Sequence, residues 1–233
     1  MDGTSKKPWD NNKIPEAGIY EMPDATTNTK IIISNAPQEI LDINHHLVNY
    51  IHDKDGLGQG SYDSINAGVT NFTGWKSFDS PHMQSLLNWI SFELKNILLP
   101  NVAEFLPVFS QTWGMSYKIN DATPAHSHEP AFMSFTYYPY VEDQKIVQPL
   151  EICTFPNGEI ELDVSMCAEH IHDKSKQWGE PIFTIPPQTG QLVAFPSYVY
   201  HQVKPVTVEC DRYCIAGNVH HDFEVKQGWY DHT

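Results

Sequence analysis

From about residue 109 to residue 219 the chain is a succession of short segments rich in Tyr, Phe, Val, Ile and Thr, broken by Pro, Gly and Asn. Residues of the first kind fit a pleated, half-buried surface, and those of the second end it, because Pro donates no ladder hydrogen bond and Gly and Asn accept turn conformations. The pattern predicts strands at 111–118, 125–129, 131–139, 149–155, 158–164, 181–185, 190–196, 199–206 and 211–219, with a polar insertion at 166–178 (MCAEHIHDKSKQW). Many short strands at this spacing leave a β-sandwich or a closed barrel as the architecture.

The first half reads differently. Residues 1–30 are polar and full of turn formers, which predicts an arm with at most one short strand. Ile40, Leu41, Leu47, Val48 and Ile51 recur at near-helical spacing after Asn35-Ala36-Pro37. Residues 82–98 repeat apolar positions at three and four, with Leu86, Leu87, Ile90, Leu94 and Ile97 on one face and Pro100 just beyond. Residues 56–75, rich in Gly, Asn, Ser and Thr, read as a long loop. The 233 residues therefore divide as one domain, with an arm and supporting helices over 1–108 and a β core over 109–222.

Charge and cysteine usage narrow the setting. A formal charge of -15 repels phosphate backbones, which argues against nucleic acid or an anionic membrane as partner. There is no apolar stretch long enough to span a bilayer and no secretory h-region at the start, so a cytoplasmic location is expected (the host's cytoplasm if the source is viral). Cys153, Cys167, Cys210 and Cys214 form no CxxC pair, and reduced thiols are expected in that compartment. Cys210 and Cys214 share the strand parity of residue 212, which predicts that all three face the interior as core positions, and at i and i+4 on one strand the two cysteines lie too far apart to bridge.

Three features of the β region carry chemistry. His126-Ser127-His128-Glu129 puts two imidazoles at i and i+2, which on a strand project to the same face, while Glu129 points away unless a bulge re-aims it. His201 lies in a separate strand segment, FPSYVYHQVKP. Arg212 follows His201 by eleven residues and is the sole arginine, the other thirteen basic residues being lysines. Arginine offers a planar, permanently charged fork suited to a carboxylate. Nitrogen-rich ligation with open positions suits a redox-active first-row metal such as iron(II).

In this order the motifs resemble the iron(II)- and 2-oxoglutarate-dependent oxygenases, on the prolyl-hydroxylase side, over roughly residues 111–219. Tyr117 precedes His126 by nine residues, TYYP at 136–139 resembles the tyrosine-rich strand that follows, and PLEICTFPNG at 149–158 the next strand and turn. GQLVAFPS at 190–197 and HQVKPV at 201–206 resemble the strands around the distal iron ligand, and Arg212 falls where the family anchors 2-oxoglutarate. The resemblance implies a mainly β double-stranded β-helix (a cupin-like jelly roll) with N-terminal helices, holding Fe(II) and using 2-oxoglutarate and O2 to hydroxylate a peptidyl or small-molecule C–H bond with release of succinate and CO2. It implies His126 and His201 as iron ligands, Arg212 and Tyr138 on the far carboxylate of 2-oxoglutarate, and Tyr117 at its iron-side end or at the substrate. The usual motif is His-x-Asp or His-x-Glu. Here the third position is His128, as in a branch of such oxygenases from marine bacteria and phages that resembles this chain in its HSH segment. Either His128 is the third ligand, the reading preferred here because it needs no distortion, or Glu129 swings in. The loop at 56–80, with the arm at 1–30, is the candidate substrate lid.

Two other readings compete. A three-histidine oxygenase of the cupin type would not use 2-oxoglutarate and would leave Arg212 without that task. A non-catalytic barrel acting as a binding module would not bring His126, His128 and His201 together. Of the other histidines, His170 and His172 read as exposed in the insertion, His220-His221-Asp222 as solvated, and His45-His46 as structural on the first helix. The tryptophans read as packing residues, with Trp113 also able to shape the pocket, and Asn218 reads as a residue of the pocket mouth or of a strand-end turn.

Overall fold

The computed structural model describes residues 6–7, 15–21, 29–54, 68–69, 80–98, 107–154 and 178–221. In chain order the elements are β1 (Lys6–Lys7), β2 (Gly18–Glu21), β3 (Lys30–Asn35), α1 (Gln38–Leu41), α2 (Asn44–Lys54), β4 (Gly68–Val69), α3 (Pro81–Leu98), β5 (Pro107–Tyr117), β6 (Thr123–His126), β7 (Met133–Val141), β8 (Leu150–Cys153), β9 (Pro181–Ile185), β10 (Gln191–Pro196), β11 (His201–Val203) and β12 (Arg212–His221). The strand expected at 158–164, the insertion with His170 and His172, Cys167, Pro100 and most of the expected lid and arm fall outside the described residues.

Strand alternation sorts the side chains into two cores. The larger sheet runs β1-β2-β3-β10-β7-β12-β5-β4 and the smaller one β6-β11-β8-β9. From β10, Val193 and Phe195 enter the apolar interior shared with the smaller sheet, while Leu192 and Ala194 face the helices. β3 does the same, with Ile31 and Ile33 to the interior and Ile32 to the helices. Two sheets enclosing one interior, with helices on the outer face of the larger, make the mainly β double-stranded β-helix that the motifs imply.

The helices follow from their apolar stripes. α3 starts at Ser80, whose hydroxyl accepts the Met83 amide at 3.4 Å, and Pro81 takes the first helical position, where a missing N–H costs nothing. Met83, Leu86, Leu87, Ile90 and Leu94 are buried against the sheet, as are Leu47 and Ile51 of α2. Tyr137 of β7 ties the layers together: its hydroxyl donates to Asn44 Oδ1 at 2.7 Å, and its ring meets Trp89 edge-on at 5.8 Å. Tyr137→Phe should cost about 1–2 kcal/mol, since it strands a buried Asn44 oxygen. Urea denaturation would check this, and an unchanged midpoint would mean that the bond contributes nothing net.

β3 supplies a strand where none was expected, between the arm at 1–30 and the β core from 109. It pairs antiparallel with β10, Ile33 opposite Val193, and with β2, so the N-terminal half supplies a strand well inside the larger sheet. Of the expected interior cysteines, Cys210 and Cys214 are buried in the barrel core, and Cys153 is buried and free as well. Burial first, and then the carboxylate of Glu151, push the Cys153 thiol up to about 12. Cys153 and Cys214 should therefore resist iodoacetamide at neutral pH in the native protein and react once it is unfolded in guanidinium, a difference that peptide mass mapping reads directly. Among the described residues no helix is long and apolar enough to cross a membrane.

Candidate functional site

The smaller sheet positions two imidazoles. β6 and β11 are antiparallel with His126 opposite His201. In each, the ring Nδ1–H donates to the carbonyl two residues earlier, His126 to Pro124 at 2.8 Å and His201 to Val199 at 3.1 Å. Those bonds fix the tautomer and turn each Nε2 toward the cluster.

His128 arrives by a different route from the one its spacing suggests. β6 ends at His126, so two-residue strand alternation does not aim it. Instead the His128 amide donates to the Ser197 carbonyl at 2.8 Å, at the end of β10. Ser197 is held in turn by its hydroxyl contact with Ser134 at 2.8 Å, and Ser134 donates to Asn218 Oδ1 at 3.1 Å. Tyr200 bonds the Ser127 side chain. Asn218 is thus a buried strand residue supporting this corner, not a turn residue.

One ligand nitrogen from each of His126, His128 and His201 lies within 4.8 Å of the others. The ring centroids are 4.8 Å apart for His126–His128, 4.2 Å for His126–His201 and 5.0 Å for His128–His201. Burial holds the His128 and His201 imidazoles well below their ordinary pKa, and His126 pushes both the same way. They are neutral near pH 7, the state a metal requires. Glu129 is exposed and stands outside the cluster. Trp113 packs against His128 at 5.5 Å and Phe195 against His201 at 4.7 Å, giving the cluster aromatic walls; Phe195 carried no signal in the sequence beyond its place in an apolar strand.

Farther along the same interior lies Arg212. The imidazoles gather where β7 begins and β10 ends, while Arg212 pairs with Val141 at the end of β7 and with Tyr117 at the end of β5. It is 2% exposed. Its guanidinium carbon sits 4.4 Å over the Tyr117 ring and 5.3 Å from that of Tyr138, and Nη2 donates to the Tyr138 hydroxyl at 3.4 Å. Among the described residues Nε and Nη1 have no hydrogen-bond partner. Burial raises the phenols of Tyr117 and Tyr138 and the thiol of Cys214, Arg212 opposing it in each, so none of these three groups is ionised to balance the guanidinium. Tyr117 stands four residues along β5 from Trp113, and its hydroxyl is engaged by Thr123 at 2.6 Å. It is a platform for Arg212, a contact that the sequence did not suggest.

Of the other described histidines, one differs from expectation. His220 is buried at 5% exposure near the end of β12 and not solvated, because β12 runs on to His221, paired with β5. His45 and His46 are exposed on α2 and do not pack into the core. His46 stacks on His82 of α3 at 4.0 Å.

Comparison with known proteins agrees with this geometry. A family model described as "Putative 2OG-Fe(II) oxygenase" matches residues 111–218. No curated protein matches. Among solved structures, a Pseudomonas putida prolyl-4-hydroxylase is similar at 13% identity and a TM-score of 0.55, covering 82% of this chain and 91% of that one. A prolyl hydroxylase from Trichoplax adhaerens, solved with a hypoxia inducible factor peptide fragment, is similar at 12% identity and 0.53, covering 84% and 86%. The α-ketoglutarate-dependent epimerase SnoN of nogalamycin biosynthesis is similar at 8% identity and 0.57, covering 82% and 78%. At these identities the likeness concerns the fold.

Proposed function

We propose that this chain, whose residues 111–218 match a 2OG-Fe(II) oxygenase family model, hydroxylates a C–H bond of a peptidyl or small-molecule substrate, with His126, His128 and His201 holding iron(II) and Arg212 clamping 2-oxoglutarate. The observation that carries this reading is the pairing of two unfinished sites in one interior. Three convergent imidazoles want a cation, and a buried guanidinium with two idle N–H groups wants a carboxylate. A C5 keto-diacid offers a chelating end for the first and a carboxylate for the second.

Iron, when bound, supplies the redox chemistry that couples O2 and 2-oxoglutarate to substrate oxidation, with succinate and CO2 as products. The chain supplies orientation. The Nδ1 bonds of His126 and His201 hold the ring planes, and Ser197 holds the His128 backbone. Arg212, stacked on Tyr117, fixes the depth of the cosubstrate, and Tyr138 can donate to the same carboxylate as it gives up its long bond to Nη2. A neutral triad cancels none of the metal's charge, so metal and guanidinium together favour a dianion over a neutral or monoanionic ligand. Trp113 and Phe195, packed on the imidazoles, keep water from the metal side.

The three-histidine oxygenase without 2-oxoglutarate is disfavoured because it leaves Arg212 buried and unbalanced. The non-catalytic barrel required histidines that do not converge. The deciding experiment is succinate formation by anaerobically iron-loaded protein on exposure to O2 with 2-oxoglutarate. Uncoupled turnover needs no prime substrate. Absence of both succinate and calorimetric 2-oxoglutarate binding would overturn the proposal.

A further inference from the structure

Two long polar side chains among the described residues each bury two atoms without a hydrogen-bond partner: Arg212, through Nε and Nη1, and Gln191, through Nε2 and Oε1. Gln191 is fully buried, at 0% exposure. A carboxamide withdrawn from water with neither its donor nor its acceptor satisfied is costly, and such groups are found where a ligand completes them.

Its position says which ligand. Gln191 is the first residue of β10 and shares the parity of Val193 and Phe195, both in the barrel interior, whereas Leu192 and Ala194 face the helices. β10 pairs with β7, Leu192 opposite Tyr137, so Gln191 comes level with Tyr138. Tyr138 is an interior residue, and its hydroxyl is the one that Arg212 reaches. Across the sheet the order is β10, β7, β12, which sets Gln191 and Arg212 on either side of Tyr138 at one end of the interior. The turn before Gln191 is tightly set: Gly190 has φ +80°, its amide donates to the Tyr138 carbonyl at 2.8 Å, and a Cβ there would collide with Leu41.

We propose that Gln191 is a second anchor for the far carboxylate of 2-oxoglutarate, Nε2–H donating to a carboxylate oxygen and Oε1 accepting from the Arg212 guanidinium. The inference rests on the reading of Arg212 as the cosubstrate clamp and adds a neutral donor facing it. One carboxylate then accepts from the idle donors of both side chains, and the guanidinium meets the idle Oε1. An amide suits the place better than a second cation, since Arg212 already supplies the full charge and the amide adds direction.

The test is calorimetric binding to protein loaded with redox-inert Zn(II). The probes are 2-oxoglutarate and 2-oxopentanoate, which has the same chain and lacks the far carboxylate. Gln191→Leu should weaken 2-oxoglutarate roughly tenfold, the worth of one hydrogen bond to a charged group, and leave 2-oxopentanoate unchanged. It should also raise the melting temperature of the ligand-free protein, because two unpaired polar atoms are removed. Gln191→Glu should abolish 2-oxoglutarate binding, since the new carboxylate takes the guanidinium and repels the ligand. Gln191→Met serves if the leucine variant does not fold. A 2-oxoglutarate affinity within about twofold of wild type in the folded leucine or methionine variant, or an equal loss for both probes, would overturn the inference and leave the function intact. A wild type that binds no 2-oxoglutarate would instead fell the functional reading, and this inference with it.

Discussion

Replacing Arg212 by methionine should make the ligand-free protein more stable while lowering its affinity for 2-oxoglutarate by about three orders of magnitude. The two signs share one cause. In the ligand-free chain the guanidinium is 2% exposed, rests on the faces of Tyr117 and Tyr138, and has one long bond, 3.4 Å to the Tyr138 hydroxyl. Cation–π contact returns about 2 kcal/mol or somewhat more when desolvated, against a desolvation penalty of several kcal/mol for a buried ion. Methionine fills similar volume and carries no charge, so removing the ion should raise the melting temperature. Breaking one side of a buried, hydrogen-bonded charge pair costs about 2–5 kcal/mol, and about 4 kcal/mol corresponds to three orders in the dissociation constant. Differential scanning calorimetry without ligand and titration calorimetry with it give both signs on one sample. A methionine variant less stable than wild type, with 2-oxoglutarate affinity intact, would mean that Arg212 is a structural strut.

The convergence of the histidines and the inward position of Arg212 were legible in the sequence because spacing along a strand survives small errors in its ends. Three things were not legible, each for a physical reason. β3 reads KIIISN, and a strand covered on both faces loses the polar–apolar alternation that marks a half-buried one. Ile31 and Ile33 feed the barrel while Ile32 feeds the helices, so the run gave no strand signal. The aim of His128 depends on a backbone bond to Ser197, sixty-nine residues away in sequence, and on the Ser134–Asn218 pair behind it. Spacing arguments gave the right neighbours through a strand geometry that β6 does not extend far enough to provide. The burial of His220 depends on β12 continuing to His221 beside β5, and the polar letters HHD conceal that pairing. Gln191 lay between these cases: a lone polar residue at an inward position of GQLVAF was visible, but its missing partners were not.

The last ligand position separates two readings sharply. His128→Ala should lower divalent metal affinity more than about 100-fold, since even the loss of an outer-shell partner costs 10–100-fold, whereas Glu129→Ala should leave it unchanged. The Glu129 side chain is exposed and outside the three-histidine cluster, and bringing it in would require His128 to give up its bond to Ser197 and its packing against Trp113. His128→Asp should keep the metal, because the backbone bond to Ser197 survives the substitution and the shorter carboxylate restores the usual His-x-Asp pattern. It would also place a negative charge on the metal, which should weaken 2-oxoglutarate relative to wild type by reducing the positive field that the dianion meets. Cobalt(II) competition against a chromophoric chelator reads the affinities, and the visible bands of the bound ion report whether the ligand set has changed. A Glu129→Ala protein that loses metal as completely as His128→Ala would reverse the assignment: the carboxylate would then be the third ligand and His128 a packing residue against Trp113.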